Sequence, residues 1–205
     1  MSDDLNKRIE EHARERFFQS GFSKVTMEEL SQELGISKKT MYQRFRGKDE
    51  LLDAIMERQI AEVGGSVREI LGAPEDFITK LVNLWTTIGR MVCRISKQFQ
   101  DDMRRYRPDL WTKIEAMRRQ IFHDNFGNMI EDGVRNGLVR NDVNKEVLVL
   151  MYISALQGVV NPAVVAEHSF STEEAFKTIM QVYFDGILTE QARKQFHHRI
   201  AGSMS

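Results

Sequence analysis

The segment from Thr26 to Lys48 restricts the possible folds of this chain more than any other stretch. Thr26, with Glu29 three residues later, forms a capping box, the pattern that begins a helix. Gly35 is the residue type that accepts the left-handed turn at a helix end, and Ser37 follows in position to cap a second helix. Two short helices joined by so tight a turn predict a helix-turn-helix, whose second helix enters the major groove of DNA.

The charge of the second helix supports this prediction. Residues Leu34 to Lys48 include five basic side chains and no acidic one, whereas the whole chain has a formal net charge of −1. This window of +5 leaves −6 on the other residues. Lys and Arg side chains that meet phosphates release condensed counterions, so a basic surface on an otherwise acidic protein favours nucleic-acid binding. A solvated charged face is the alternative interpretation, and the two capped helices favour DNA over it.

About fifty residues of the N-terminal region resemble a known family. From about Asn6 to Ile55, the chain is similar to the DNA-binding domain of the TetR family of bacterial transcriptional regulators. The residues that carry the resemblance are Ala13, Phe17 and Phe18, Gly21 and Phe22, Thr26 to Leu30, Leu34 to Lys38, Thr40 to Tyr42, Phe45, and Lys48 to Leu52. Lys39 departs from the pattern, because the family usually has a small residue there. This extra charge leaves the base preference open.

The helical periodicity and the resemblance together predict an all-α protein. The resemblance implies an N-terminal three-helix, helix-turn-helix DNA-binding domain in residues 1–50. It also implies a larger C-terminal helical domain for effector binding and dimerisation in residues 51–205, with a helix over 48–71 joining the two. Gly64 and Gly65 weaken this helix by roughly 1 kcal/mol each relative to alanine. They mark either a soft joint or the plain end of the helix.

Farther along the chain, apolar residues at helical spacing predict one long helix over 110–136 and another over 147–165. Pro162 is expected to kink the second of these helices rather than end it. His197 and His198 lie in what reads as a polar C-terminal tail.

The candidate DNA-contacting residues lie on the two short helices and at the start of the next one. They are Thr26, Ser37, Lys38, Lys39, Thr40, Tyr42, Gln43, Arg44 and Lys48. The lysines are expected to meet phosphates, and the resemblance implies that Thr26 and Tyr42 donate hydrogen bonds to phosphates. Gln43 and Arg44 are suited to reading adenine and guanine edges, and Thr40 to touching a thymine methyl group.

Aromatic and methionine side chains are concentrated in the middle of the chain. The candidate pocket residues are Trp85, Met91, Phe99, Met103, Trp111, Phe122, Phe126 and Tyr152. Such a stripe is often plain core, and that alternative stays open for each residue. The resemblance implies that a small-molecule effector binds here and changes the spacing of the recognition helices, which is coupling between two sites.

Two helical patterns near the C-terminus, over 147–165 and 171–188, are unusually apolar. A helix that is apolar nearly all round must be buried on several sides, so a partner chain is expected, and a deep core within one chain is the alternative. By resemblance, these helices form a four-helix interface in a homodimer that binds a palindromic operator. The candidate interface residues are Leu156, Val159, Val160, Met180, Tyr183 and Ile187.

Other classes of protein find little support in the sequence. One cysteine allows no internal disulfide, the first residues lack the basic and apolar regions of a signal peptide, and no run approaches the ~18 apolar residues of a spanning helix. A cytoplasmic location is therefore expected. No zinc-protease, Walker A or Glu-x-x-His pattern is present, so neither an enzyme nor a cofactor is expected. The function predicted is a ligand-responsive transcriptional regulator, a repressor released by an apolar or amphipathic effector. The alternative is a helical small-molecule-binding protein without sequence-specific DNA binding.

Overall fold

Helices dominate the part of the chain that the computed structural model describes, residues 2–120, 127–160, 162–165 and 167–203. In chain order they are α1 (Ser2–Ser20), α2 (Met27–Glu33), α3 (Lys38–Arg44), α4 (Lys48–Gly72), α5 (Phe77–Cys93), α6 (Lys97–Tyr106), α7 (Pro108–Gln120), α8 (Gly127–Arg135), α9 (Lys145–Val159), α10 (Pro162–Val165), α11 (Thr172–Ile187) and α12 (Glu190–Ser203). Within those ranges, the β pairing consists of an isolated antiparallel bridge between Val139 and Leu188. The all-α prediction is confirmed.

The chain forms two compact units. The first unit contains Met1–Val63 and Arg94–Glu115, and the second contains Gly64–Cys93 and Ala116–Ser205. These units are defined by contacts, whereas the predicted domain boundary at residue 50 concerns function and stays a prediction. The joining helix was predicted over 48–71, and α4 spans these residues without a break.

The local signals around the helix-turn-helix fold as the sequence predicts. The Thr26 side chain accepts from the Glu29 backbone N–H, and the Glu29 carboxylate accepts from the Thr26 backbone N–H, so the capping box at α2 is complete. Gly35 has a φ of 68° and turns the chain, and Ser37 then caps α3 by accepting from the Thr40 backbone N–H at 3.0 Å. These caps fix where α2 and α3 begin.

Helix α3 packs against the core of the first unit. The apolar side chains buried there come from α1, α2, α3, α4 and α6: Ile9, Ala13, Phe17, Leu30, Met41, Leu51, Leu52, Ile55, Phe99 and Met103. Helix α6 packs on α1, with the rings of Phe18 and Phe99 4.8 Å apart and the Ser96 backbone N–H donating to the Phe18 carbonyl at 2.9 Å. A short helix such as α3 has no independent stability, so this packing holds it in place.

The second unit is organised around aromatic side chains on α5, α9, α11 and α12. Trp85 lies 5.3 Å from Phe196, and Phe196 lies 5.1 Å from Phe184, measured between ring centroids. Tyr152 of α9 is buried and lies 5.3 Å from Tyr183 of α11. The core of this unit therefore depends on α12 as much as on the earlier helices.

Three predictions about helix limits need revision. The expected polar tail with His197 and His198 belongs to α12, whose Ala192 and Phe196 are fully buried. The helix expected over 147–165 ends at Val159, because Val160 has a ψ of 44°, and α10 begins separately at Pro162. Pro162 therefore opens a new helix, the position that its fixed φ favours, instead of kinking a continuous one.

Two further expectations concern helix continuity. Helix α4 runs through Gly64 and Gly65 to Gly72, so the helix does not end at the glycine pair. The helix predicted over 110–136 is described as α7 and α8, and residues 121–126 lie outside the described part of the chain. Pro108 opens α7 directly after α6 ends at Tyr106, because proline fits the first position of a helix and the residue before it avoids the helical conformation.

Candidate nucleic-acid interface

Helix α3 places one side in the core and the opposite side in solvent. Met41 and Phe45 are buried, whereas Lys38, Lys39, Tyr42 and Gln43 are exposed. Residues four positions apart lie on one face of a helix, so Lys38 with Tyr42 and Lys39 with Gln43 form two adjacent exposed rows of one patch. This cationic and amide-bearing patch can donate to phosphates and to base edges.

Two carboxylates of α2 hold side chains that the sequence assigns to phosphates. Glu28 Oε1 lies 3.6 Å from Lys38 Nζ and accepts from the Tyr42 hydroxyl at 3.4 Å. Glu29 Oε2 accepts from the Thr26 hydroxyl at 2.9 Å and from the Thr26 backbone N–H at 2.8 Å. The backbone hydrogen bond, followed by the hydroxyl bond, lowers the pKa of Glu29. No local sequence pattern marks Glu28 for this role, because its partners on α3 lie ten or more positions later in the chain.

Lys48 is engaged within the protein. Its Nζ donates to the carbonyls of Phe22 at 2.8 Å, Val25 at 3.0 Å and Ser23 at 3.3 Å, and it lies 4.6 Å from the centre of the Phe22 ring. Burial lowers the pKa of the Lys48 ammonium. These bonds hold the loop between α1 and α2. A phosphate contact by Lys48 stays a prediction, and it would compete with these carbonyls.

The remaining DNA-contact candidates are Ser37, Thr40 and Arg44, at the two ends of α3. The hydroxyls of Ser37 and Thr40 are 2.8 Å apart, and Thr40 is half-buried. Arg44 is also half-buried, at the end of α3. Thr40 and Arg44 are therefore less exposed than Lys39 and Gln43, whereas Ser37 is exposed.

The loop between α1 and α2 has a second support, from α6. The carboxylate of Asp102, only 3% exposed, accepts from the Ser23 backbone N–H at 2.7 Å and from Gln98 Nε2 at 2.8 Å. Gly21, with a φ of 91°, brings the backbone close to these two side chains. Nothing in the sequence pattern marks Asp102, because its partner lies 79 positions earlier in the chain.

Arg107 ties the corner between α6 and α7 to α4. One guanidinium nitrogen, Nη2, lies 2.6 Å from Asp53 and 2.8 Å from Asp109, and Nη1 lies 3.8 Å from Asp49. Hydrogen bonds to Asp109 and Asp53 raise the pKa of Arg107. The first turns of α4 and the turn beside α2 are therefore both held by residues from beyond position 93.

The candidate pocket residues fall in different parts of the molecule. Phe99, Met103 and Trp111 belong to the first unit, where Arg104 lies 4.7 Å from the centre of the Trp111 ring. The candidates in the second unit are Trp85, Met91 and Tyr152, and Phe122 and Phe126 lie outside the described residues. Their common pocket stays a prediction.

A cavity of about 820 Å³ lies within the second unit, and its described lining residues do not include Trp85, Met91 or Tyr152. Its apolar side chains are Val149, Leu150 and Ile153, and its polar ones are Arg119, Asn128, Asn144, Lys145 and Glu146. Its volume lies within the usual range for small-molecule sites, ~300–1,000 Å³. Among the residues that the structure describes, no group of three His, Cys, Asp or Glu side chains is arranged to hold a metal ion.

The candidate interface residues differ in exposure. Val160, Met180 and Ile187 are buried within the second unit, and Leu156 and Tyr183 are half-buried, with the Tyr183 hydroxyl donating to the Leu148 carbonyl at 3.0 Å. The large apolar side chains exposed on α9 and α11 are Val147, Leu150, Met151, Val159 and Val182. Nothing in the sequence distinguishes the buried apolar residues of α9 and α11 from the exposed ones, because both helices are apolar on several sides.

Comparisons with known proteins agree with this geometry. Residues 9–55 match the model of the bacterial regulatory proteins of the tetR family. The chain is 26% identical over 188 residues to the uncharacterised HTH-type transcriptional regulator YvaF of Bacillus subtilis, covering 91% of this chain and 97% of that protein.

Solved structures share the fold. A transcriptional regulator from Cytophaga hutchinsonii has a TM-score of 0.67 and 20% identity, covering 89% of this chain and 98% of that one. A regulator from Saccharomonospora viridis in complex with choline has a TM-score of 0.66 and 15% identity, covering 92% of this chain and all of that one, 100%. The fold and the exposed face of α3 define an all-α protein with an N-terminal helix-turn-helix. Over residues 9–55 the chain is similar to the TetR family of bacterial regulatory proteins.

This family is a class of transcriptional regulators and not a class of enzymes. Within the described ranges, none of the helices combines the length and the apolar character needed to cross a membrane.

Proposed function

We propose that the protein is a ligand-responsive repressor that binds a palindromic operator as a homodimer and is released by an apolar or amphipathic effector. The observation that carries the proposal is the patch on α3, where Lys38, Lys39, Tyr42 and Gln43 are exposed together above a buried Met41. A recognition helix needs this arrangement, with donors outward and a rigid support beneath.

The DNA contacts divide into positioning and reading roles. Lys38 and Lys39 neutralise phosphates, and Tyr42 and Thr26 donate hydrogen bonds to them. Gln43 reads a base edge in the major groove, where a glutamine amide pairs with adenine. Thr40 and Arg44 are half-buried and contribute only where the groove approaches the helix closely, whereas the exposed Ser37 lies at the cap of α3.

The exposed apolar side chains support a homodimer. Met151 is 56% exposed on α9 and Val182 is 67% exposed on α11, two helices that pack against each other. Ser154 and Gly158 follow Met151 along α9 and are small enough to let another helix approach closely. A second copy presenting the same two helices would cover this face and place two recognition helices on successive grooves. Val160, Met180 and Ile187 then support the interface from beneath.

The cavity within the second unit supports an amphipathic effector. Its apolar lining residues Val149, Leu150 and Ile153 suit the apolar part of a ligand. Its polar lining residues Arg119 and Asn128 suit the polar group of that ligand. The choline complex of the regulator from Saccharomonospora viridis is a case of a small molecule bound by a protein of this fold.

The decisive experiment is selection of bound duplexes from a random library with purified protein. We expect an inverted repeat whose half-site centres lie about 34–36 Å apart, one helical turn of DNA. Candidate small molecules added to the complex then test release. If no duplex is enriched, the helical small-molecule-binding alternative replaces this proposal.

Lys39→Gln is expected to weaken binding to every duplex by a similar factor, because a phosphate contact carries no sequence information. The slope of log K against log salt should become shallower by about 0.9, the value for one lost phosphate contact. Fluorescence anisotropy across a salt series measures both quantities. Gln43→Ala is the comparison variant, because it should change the preferred sequence and leave the salt slope unaltered.

Met151→Asp is expected to convert the dimer into monomers, because the interface would have to bury an unpaired carboxylate. Sedimentation velocity should then give the mass of one chain, and operator affinity should fall at least tenfold. Val182→Asp tests the same face from α11. Gln195→Asp adds an equal charge to an exposed position of α12 and should leave the dimer intact. A wild-type protein that sediments as a monomer at all concentrations would contradict the assembly.

A further inference from the structure

Glu28 of α2 lies beside the patch on α3 that is proposed to meet DNA, although its charge is of the wrong sign for phosphate. Its Oε1 is 3.6 Å from Lys38 Nζ and accepts from the Tyr42 hydroxyl at 3.4 Å. The Glu28 side chain is 46% exposed and that of Lys38 is 67% exposed. A bound duplex would therefore reach both groups.

The position of Glu28 is not required for capping. Glu29, the next residue, completes the capping box with Thr26, and the Glu28 carboxylate takes no part in it. An exposed ion pair at this distance also contributes little to stability. What Glu28 does, by its geometry, is place one carboxylate oxygen where it satisfies two donors of α3.

We propose that Glu28 is an internal substitute for a DNA phosphate, which holds Lys38 and Tyr42 in the free protein and must be displaced by DNA. This inference rests on the DNA-binding function proposed above. Its consequence is a penalty on sequence-independent binding. Glu28 is therefore a specificity-determining residue of the interface.

Counterion release explains how this penalty is measured. When a phosphate takes Lys38, the duplex releases a condensed cation. Glu28 then loses its own cationic partner and attracts a cation from solution. The uptake offsets the release, so Lys38 adds less to the salt dependence than Lys39 does, and both affinity and salt slope are reduced.

The penalty falls unequally on operator and random DNA. Binding to random DNA is almost wholly electrostatic, so a nearby carboxylate opposes it fully. In the operator complex, Lys38 and Tyr42 occupy fixed positions. Restraint by Glu28 in the free protein removes part of the rotamer freedom that ordering these side chains would cost. The operator complex therefore regains part of the binding free energy that the repulsion by Glu28 costs.

The test compares Glu28→Gln with Glu15→Gln, which removes the same charge from an exposed site on α1. For a random duplex, Glu28→Gln should raise affinity about three- to tenfold, the scale of one exposed charge pair in water. It should also steepen the salt slope by up to about 0.9. The gain for the selected operator should be smaller, so that the ratio of the two affinities falls.

A Lys38→Gln background separates this mechanism from plain repulsion. In that background, Glu28→Gln should no longer steepen the salt slope, because no cation is exchanged between Glu28 and phosphate. If the slope steepens equally in both backgrounds, or if Glu28→Gln behaves like Glu15→Gln, the inference is overturned. If the wild-type protein binds no duplex at all, it is the proposed function that fails, and the two outcomes are distinct.

Discussion

Gly21→Ala is expected to destabilise the first unit by about 2–5 kcal/mol, because it adds backbone strain and a collision. At a φ of 91°, a residue with a side chain is strained, at a cost of roughly 1–2 kcal/mol. The new methyl group would lie 2.3 Å from Gln98 Cγ and 2.8 Å from the Asp102 carboxylate, which overpacks the site by about another 1–3 kcal/mol. Urea unfolding and hydrogen exchange of the α1 and α6 amides measure the loss.

Gly35→Ala is the matched control for this prediction. Gly35 also has a positive φ, 68°, but an added methyl group would meet no atom within 4 Å. It should therefore carry the backbone strain alone, about 1–2 kcal/mol. Equal losses in the two variants would contradict the view that α6 presses on the turn at Gly21.

We also expect Gly21→Ala to weaken operator binding, because moving Asp102 frees the Ser23 N–H and loosens the loop before α2.

Phe196→Ala is expected to destabilise the second unit by about 3–5 kcal/mol, the usual cost of removing a buried aromatic ring. Phe196 is fully buried and packs against both Trp85 and Phe184. The free energy of unfolding in urea, followed by tryptophan fluorescence, measures the effect. Because Trp85 lies against the deleted ring, its emission should also shift to longer wavelength in the folded variant.

His198→Ala controls for the helix that carries Phe196. His198 is exposed on α12, and surface substitutions of this kind usually change stability by less than about 0.5 kcal/mol. A small effect of both substitutions would mean that α12 is a detachable appendage. A large effect of Phe196→Ala alone would establish that the C-terminal helix completes the core of the second unit.

The helix-turn-helix could be predicted from local signals because local bonds form it. Thr26 with Glu29, Gly35 and Ser37 each act within four residues of their own position, and the capping bonds follow the sequence pattern. The outer side of α3 follows from the buried side, which Met41 and Phe45 mark by their spacing. Such signals concern residues that lie within about one helical turn of each other.

The contacts that tune the candidate interface have no such local signal. Lys48 reads as a phosphate ligand by its charge and position, yet its ammonium binds three carbonyls more than twenty residues earlier. Asp102 reads as an ordinary surface acid of α6, yet it is buried against the loop at Ser23. Only the packing of distant segments decides whether such a side chain faces solvent or backbone.

The same limit applies to α9, α11 and α12. On α9 and α11, apolar residues occur on several sides, so the sequence cannot say that Met180 faces the core while Val182 faces solvent. On α12, Ala192, Phe196 and Ile200 recur every fourth residue, which is a helical signal. The many charged and polar residues between them gave this stretch the composition of a tail.

If the protein binds an operator as proposed, the shortness of α3 limits how many base pairs it can contact directly. Seven residues rising 1.5 Å each extend about 10 Å, the length of three base pairs at 3.4 Å apiece. One copy can thus contact only a few base pairs, too few to define a unique site in a bacterial chromosome. In the proposed homodimer, selectivity would come from two such half-sites at a fixed spacing, and from how readily the DNA between them bends or twists.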